Sequence, residues 1–349
     1  MDKSIDNALN WGIIGTGRIA EAFAQALNHT ESGYISGVAS RNQDSSNQFA
    51  HQNKIENSYT GYQQLIDDKK VEAIYIATPH PMHKEWAIKA AESGKHILCE
   101  KPMALNTDDT IEIIEAAESN DVFLMEAFMY RCHPQTTKLV ELIRQHAIGD
   151  VKLIKSTLGY MFPYDPTERH FAASLGGGGI LDLGCYPVSM ARLIAAVSLG
   201  VESIEPIELR AFGHIGSEIG VDKYTSAILL FKNDIIAEIS CGITLDTGGE
   251  LRIYGTEGQI FIPDPWFCGG IDGGQSSIQI SRKDEKLETI KILPNRGLYT
   301  IEAEHVTQNI QYRQAKFPGM RWSDSIANMK TLDRWRNEIG LKYPQESQQ

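Results

Sequence analysis

Cysteine is scarce in this 349-residue chain. There are five, Cys99, Cys132, Cys185, Cys241 and Cys268, and no two form a Cys-x-x-Cys pair. That spacing excludes a zinc ribbon, and an odd, scattered set argues against a secreted disulfide framework. No run approaches 18 apolar residues, so no transmembrane helix is expected. The N-terminal MDKSIDNALN has neither an apolar segment with a small-residue cleavage site nor a twin-arginine pair, and the cytoplasm is the expected compartment. Basic residues are outnumbered 33 to 45, giving a net charge of −12. This argues against nucleic acid or an anionic membrane as a partner, though not against a local cationic pocket. There is no internal repeat and no low-complexity stretch, and no His, Cys, Asp or Glu spacing suits a metal. What remains is an ordinary globular composition, 42% hydrophobic and 22% charged, long enough for two domains with a core that needs no covalent staple.

The first 125 residues alternate short apolar runs with helical spacing. Strands are expected at Trp11–Ile14, Tyr34–Ala39, Val71–Ala77, His96–Cys99 and Val122–Met125. Helices are expected over 18–29, 44–52, 61–67, 81–93 and 107–119, the last with Thr107 as its N-cap. This β-α-β-α order implies an α/β fold, a doubly wound Rossmann-type parallel sheet over residues 1–125. Residues 126–349 have a different texture and predict an α+β domain with a largely antiparallel open sheet. Its strands fall at Val151–Tyr160, Glu208–His214, Tyr224–Phe231, Ile235–Cys241, Leu251–Tyr254 and Gln259–Ile262, with Asn233-Asp234 as a hairpin turn. One apolar helix is expected over 179–196 and closing helices over 300–313 and 323–338.

Gly15-Thr16-Gly17-Arg18-Ile19-Ala20 fits G-x-G-x-x-A directly after the first strand and at the start of a helix. Gly15 permits the tight turn, Gly17 lets a pyrophosphate approach the backbone, and Ala20 lets helix and strand pack closely. Free N–H groups at the helix start favour the anion. An acid at the tip of the second strand would bind a ribose 2′-hydroxyl, but here the tip reads Ser40-Arg41-Asn42, and Asp44 comes later. Ser40 can donate a hydrogen bond and Arg41 can grip a 2′-phosphate, so NADP is expected over NAD. Two further segments end parallel strands on the same edge: Thr78-Pro79-His80-Pro81-Met82-His83 and Cys99-Glu100-Lys101-Pro102. Lys101 is expected beside the nicotinamide, where it can lower the pKa of a neighbouring hydroxyl.

GIIGTGRIA, ATPHPMHKEWAIKAAESGKHILCEKPMALN, LMEAFMYRCHPQ and GGGGILDLGCYPVSMARLI resemble the Gfo/Idh/MocA oxidoreductases, most closely the dimeric dihydrodiol dehydrogenase and NADP-dependent D-xylose 1-dehydrogenase branch. The resemblance implies hydride transfer between a nicotinamide cofactor and a hydroxyl-bearing carbon of a sugar, polyol or cyclic diol, without a metal. It also implies a homo-oligomer joined through the C-terminal sheet. Residue by residue it makes Lys101 the catalytic lysine of the Glu100-Lys101-Pro102 turn. It assigns Thr78, His80 and His83 to the nicotinamide loop, and Asp182 and Tyr186 to the Asp-x-x-x-Tyr pair of that branch. Many family members carry histidine where Tyr186 stands, and the animal dihydrodiol enzymes carry tryptophan where Met129 stands.

Asp182 and Tyr186, four apart on a helix, are expected to share a face. An acid in so apolar a segment needs a partner, and a substrate hydroxyl is one. Tyr186 is expected to remove the substrate proton, with Lys101 favouring the phenolate; the two roles are interchangeable. Arg131 and Phe162 are expected at the substrate, with His133, Tyr160, Tyr164, His170 and Trp322 as further candidates. The leading expectation is an NADP-dependent aldose 1-dehydrogenase that forms a lactone. The alternatives are a trans-1,2-dihydrodiol dehydrogenase and, in another class, a non-catalytic NADP-sensing regulator.

Overall fold

In the computed structural model, residues 8–347 are described. Strand β1 (Leu9–Ile14) is buried along its whole length, as a central strand covered on both faces must be. It lies between β2 (Gly33–Ser40) and β4 (Ala73–Ile76), and β3 (Asn57–Thr60), β5 (His96–Glu100) and β6 (Leu124–Ala127) complete a six-stranded parallel sheet ordered β3-β2-β1-β4-β5-β6. The order reverses between β1 and β4, which opens a crevice at the carboxyl ends of the strands. Helices α1 (Arg18–Leu27), α2 (Gln43–Asn53), α3 (Tyr62–Ile66), α4 (His83–Glu92) and α5 (Thr107–Ser119) connect them. Strand β3 escapes the hydrophobic pattern because NSYT is short and polar. The cap of α5 is Asn106, whose side chain accepts from Asp109 N, and not Thr107. The Thr107 hydroxyl instead donates to Asp333, 2.6 Å away in the last long helix.

Strand β6 runs two residues past the expected boundary at 125. Short helix α6 (Met129–Cys132) and α7 (Pro134–Arg144) then lead into β7 (Val151–Met161). Next come a π-helical turn over Ile180–Gly184, α8 (Cys185–Ser198), β8 (Glu208–Ile215), β9 (Asp222–Leu230), β10 (Ile236–Gly242), β11 (Thr244–Gly248), β12 (Leu251–Gly255), β13 (Gly258–Ile262), β14 (Ser276–Arg282) and β15 (Glu288–Ile292). The second sheet is ordered β15-β14-β13-β12-β7-β10-β9-β8, with β11 on β7. It is antiparallel except where β7 meets β10. The expected 233–234 turn joins β9 to β10, with Asn233 at φ 58°.

The apolar helix expected over 179–196 is the π turn followed by α8. The segment 173–198 is long and apolar enough, by length and composition alone, to cross a membrane. Its most apolar 18-residue stretch is wholly buried here, and a helix apolar on every side belongs in a core. The chain finally returns to the first domain: α9 (Leu298–Asn309) packs on α1, and α10 (Trp322–Glu338) on α5 and α8.

Candidate active site

A cavity of about 760 Å³ follows the carboxyl edge of the first sheet and ends between the two domains. At one end lies the glycine turn. Gly15 has φ +109°, and a Cβ there would stand 2.6 Å from the carbonyl oxygen of Ala77. A Cβ at Gly17 would meet nothing within 4 Å, so the turn is open toward the cavity. Gly17 caps α1 without a side-chain bond, which leaves the first N–H groups available to an anion. Thr16, Arg18 and Ile19 line this end, as do Ser40 and Arg41 from the tip of β2. Tyr62 closes the same corner beside Arg41; burial raises its phenol, and Arg41 draws it back. Ser40 Oγ accepts from Asn42 N at 3.3 Å and keeps its own proton to donate. The Asn42 side chain caps α2, accepting from Asp44 N at 2.8 Å, and Asp44 is not among the described residues that line the cavity.

The middle of the cavity is walled by Thr78 and His80. Thr78 Oγ1 is buried without a hydrogen-bond partner, a polar atom left for a ligand to satisfy. Burial holds the His80 imidazole neutral, and its Nδ1 lies 3.2 Å from Gly176 O. His83 does not reach the cavity. Its ring is fully buried between two carbonyls, Nε2 2.8 Å from Thr78 O and Nδ1 3.0 Å from Pro102 O. It braces the two loops that do line the cavity, and burial lowers its pKa to about 4. The expected contact of His83 with nicotinamide is thus replaced by a supporting role. The open glycine turn, the uncapped helix start and the unpartnered Thr78 fit a dinucleotide.

At the domain junction Lys101 follows β5 with a cis peptide to Pro102. Its Nζ donates to Asp182 O at 2.8 Å and to Asp182 Oδ1 at 3.3 Å. The same Oδ1 accepts from Arg169 Nη1 at 3.0 Å, and His170 Nε2 lies 3.6 Å from Oδ2. Burial alone would neutralise Asp182, but Arg169 and Lys101 outweigh it and hold the carboxyl far below its ordinary range. Burial likewise works against the Lys101 ammonium, and Asp182 more than restores it. Beside Lys101, Glu100 accepts the Tyr75 hydroxyl, and burial raises its pKa.

Tyr186 lies on the same cavity wall. Lys101 Nζ is 5.0 Å from the centre of its ring, and its hydroxyl meets Met129 Sδ at 3.7 Å. Burial pushes the phenol well above its ordinary value. The expectation that Lys101 stabilises a phenolate is therefore corrected: the ammonium faces the ring and spends two donors on Asp182. The expected free partner of a substrate hydroxyl, Asp182, is likewise already paired within the protein.

Phe162 and Tyr160 line this end, and Phe162 stacks on His170 with centroids 4.1 Å apart. Arg131 does not. It is fully buried, donating to Pro318 O at 2.6 Å and Ser189 Oγ at 3.0 Å beside Asp324, and it fastens the domain interior. His133 caps α7, Tyr164 is turned outward against Phe171, and Trp322 donates to Leu124 O. The sequence pattern missed Arg169, Tyr299, Phe267 and Ile271, which complete the wall. A buried acid at 182 demands a nearby cation, and that demand was the one available signal for Arg169.

Residues 9–128 match the family model described as an oxidoreductase family with an NAD-binding Rossmann fold, and residues 136–261 match the GFO/IDH/MocA C-terminal domain. The chain belongs to the Gfo/Idh/MocA oxidoreductase family. It is 32% identical over 342 residues to a trans-1,2-dihydrobenzene-1,2-diol dehydrogenase of Xenopus laevis, covering 97% of this chain and 100% of the relative. The enzyme of that name from Homo sapiens is 28% identical over 345 residues, covering 97% and 99%. Among solved structures, a 3-ketoreductase from Actinomadura kijaniata in complex with NADP and TDP-benzene shares the fold at TM-score 0.83 and 22% identity, over 95% of this chain and 98% of that one. An aldose-aldose oxidoreductase from Caulobacter crescentus with glycerol does so at 0.83 and 21%, over the same shares. This family member is a nicotinamide-dependent dehydrogenase.

Proposed function

We propose that the protein is an NADP-preferring dehydrogenase that interconverts a CH–OH carbon of an aldose or cyclic diol with the corresponding carbonyl. One observation carries this reading: a single cavity joins the open glycine turn and Arg41 to Lys101, Asp182 and Tyr186. The bound nicotinamide supplies or accepts the hydride. In reduction, the neutral Tyr186 phenol donates a proton to the substrate oxygen, and Lys101 offers its remaining N–H to the charge developing there. In oxidation the substrate hydroxyl gives its proton to the Tyr186 oxygen in its deprotonated form, the reverse of the same step. Asp182 keeps the ammonium charged and oriented. The ring of the substrate rests against Phe162, Tyr160 and Phe267.

The absence of an acid at the β2 tip, with Arg41 in its place, supports NADP over NAD. An aldose oxidised at C1 is the leading substrate class. The identity with dihydrodiol dehydrogenases favours a trans-diol as the second. Phe212, Ile228 and Tyr224 are exposed on the outer face of the second sheet, which supports a homo-oligomer through that face. The five cysteines are all unpaired, which supports a reducing compartment such as the cytoplasm. The test is NADPH absorbance with a panel of aldoses, polyols and trans-diols. Turnover confined to NAD, or confined to substrates without a CH–OH or carbonyl carbon, contradicts the proposal.

A further inference from the structure

The chemistry above leaves one cation without a task. Arg169 sits on the loop between β7 and the π turn, thirteen residues before Asp182, and its Nη1 holds Asp182 Oδ1 at 3.0 Å. Lys101 reaches that same oxygen only at 3.3 Å, and its shorter bond, 2.8 Å, goes to the Asp182 carbonyl. Two cations thus share one carboxylate oxygen, and the loop cation has the closer contact.

The carbonyl contact has a local cause. Asp182 lies in the π turn, where carbonyls are offered to N–H groups five residues on. Five residues after Asp182 stands Pro187, which has no N–H to give. The Asp182 carbonyl accepts from the Lys101 ammonium at 2.8 Å and from the Cys185 thiol at 3.7 Å. An ammonium has three donors; two point at Asp182, and one is left for the reacting oxygen.

The other groups around this pair are His80 from the turn after β4, Glu100 from β5, His170 beside Arg169, Tyr160 from β7, and Cys185 and Tyr186 from α8. Burial keeps the two histidines neutral, the tyrosines and the Cys185 thiol protonated, and Glu100 less acidic than usual. Arg169 is the fixed charge that balances Lys101 across Asp182.

We propose that Arg169 is a positioning residue that restrains Asp182 from closing fully onto Lys101, so that the ammonium stays on the Asp182 carbonyl with one N–H free for the substrate oxygen. The proposal rests on the dehydrogenase reading for its kinetic consequence, but not for its electrostatic one. With Arg169 removed, Asp182 Oδ1 turns to Lys101 alone and the ion pair shortens. A neighbouring positive charge also disappears. Both changes raise the proton affinity of Lys101. The ammonium is then held by Asp182 when it should be serving the substrate.

The side chain of Arg169 is 40% exposed, so its replacement by glutamine is compatible with folding. Nitrogen-15 lysine side-chain NMR on the cofactor-free protein, with Lys101 assigned through K101R, reads the titration midpoint directly. R169Q is expected to raise that midpoint by about half a pH unit or more. In kinetics it is expected to lower kcat by roughly tenfold or more, with the Kd for NADPH unchanged and the pH–rate profile moved to the alkaline side. R169K, which retains the charge, is expected to restore the wild-type midpoint and most of kcat. R169M gives the same readout as R169Q should the glutamine variant fail to fold. An unchanged Lys101 midpoint on loss of the charge, or a midpoint in R169K equal to that of R169Q, overturns the proposal. Failure of the wild-type protein to turn over any hydroxyl substrate counts against the dehydrogenase reading, and the NMR titration still decides the role of Arg169.

Discussion

Lys101 and Asp182 meet across the boundary between the two domains: an ammonium at the end of β5 donates to both the backbone carbonyl and the side chain of an aspartate in a π turn 81 residues later. The contact places the cavity's only side-chain ammonium among the described residues where the sheet edge and the second domain converge. Removing it is expected to remove the chemistry and spare the fold. K101M, of similar reach, is predicted to lower kcat by about a hundredfold to ten-thousandfold, the range of a positioned acid–base group. Its Kd for NADPH, read by fluorescence titration, stays within about threefold, since the dinucleotide is held mainly at the glycine turn. A K101M variant with wild-type kcat contradicts the assignment.

Tyr186 is predicted to act from its neutral form. Y186F is expected to lose roughly a hundredfold or more in kcat. Because burial lifts the phenol and Asp182 lifts the Lys101 ammonium, both groups remain protonated through the neutral range. The rate of reduction is therefore expected to be flat across about pH 6 to 8 and to fall only on the alkaline side, whereas oxidation gains as pH rises. A reductive rate that rises with pH in that window contradicts this protonation state.

Arg41 is predicted to discriminate the cofactors. R41A should raise the KM for NADPH by roughly ten- to a hundredfold through loss of a charge-assisted phosphate contact. The KM for NADH should change by less than about threefold. Equal losses with both cofactors would assign Arg41 to something other than the 2′-phosphate.

The two glycines of the turn are predicted to fail in different ways. G15A places a Cβ against the Ala77 carbonyl at a left-handed φ, and is expected to destabilise the free protein by on the order of 1–3 kcal/mol. G17A meets only open space, so the free protein should keep its Tm while cofactor affinity falls. Thermal unfolding with and without NADPH separates the two.

Asp222 gives a prediction for stability. It is fully buried, its Oδ2 accepts from Ile180 N at 2.8 Å at the start of the π turn, and burial raises its pKa to about 7. The folded state thus holds a proton that the unfolded state, near 3.8, gives up. Between those values the native state binds more protons, and stability attributable to this group falls as pH rises. D222N keeps an acceptor for Ile180 N without the charge. Its Tm advantage over the wild type is expected to grow from about pH 5 to 8; a constant difference contradicts the account.

The glycine turn, the Glu-Lys-Pro turn and the Asp-x-x-x-Tyr pair were legible because each is local: short spacing at the end of a strand or on one helical turn fixes where the side chains stand. Arg131 was misassigned because its neighbourhood is not local. Its partners are Ser189, Pro318 and Asp324, brought together only by the closing helices. His83 reads as a ligand-lining histidine from its loop, yet one turn of α4 directs it inward between two carbonyls. Arg169 and Tyr299 come from a loop without periodicity and from a helix nearly two hundred residues beyond the lysine, so no spacing rule reaches them. Strands β14 and β15 were missed for another reason: SSIQISR and ETIKI alternate, but each carries only two apolar residues, Ile278 and Ile280 or Ile290 and Ile292, too few to stand out as a run.

The most direct test of the central claim is steady-state absorbance at the NADPH band for the wild-type protein and K101M, with NADP and a panel of aldoses, polyols and trans-diols. Cofactor reduction is expected with at least one hydroxyl substrate, with its near-complete loss in K101M, while both proteins bind NADPH. Tight NADPH binding with no turnover across the panel, or equal turnover by the two proteins, would contradict it.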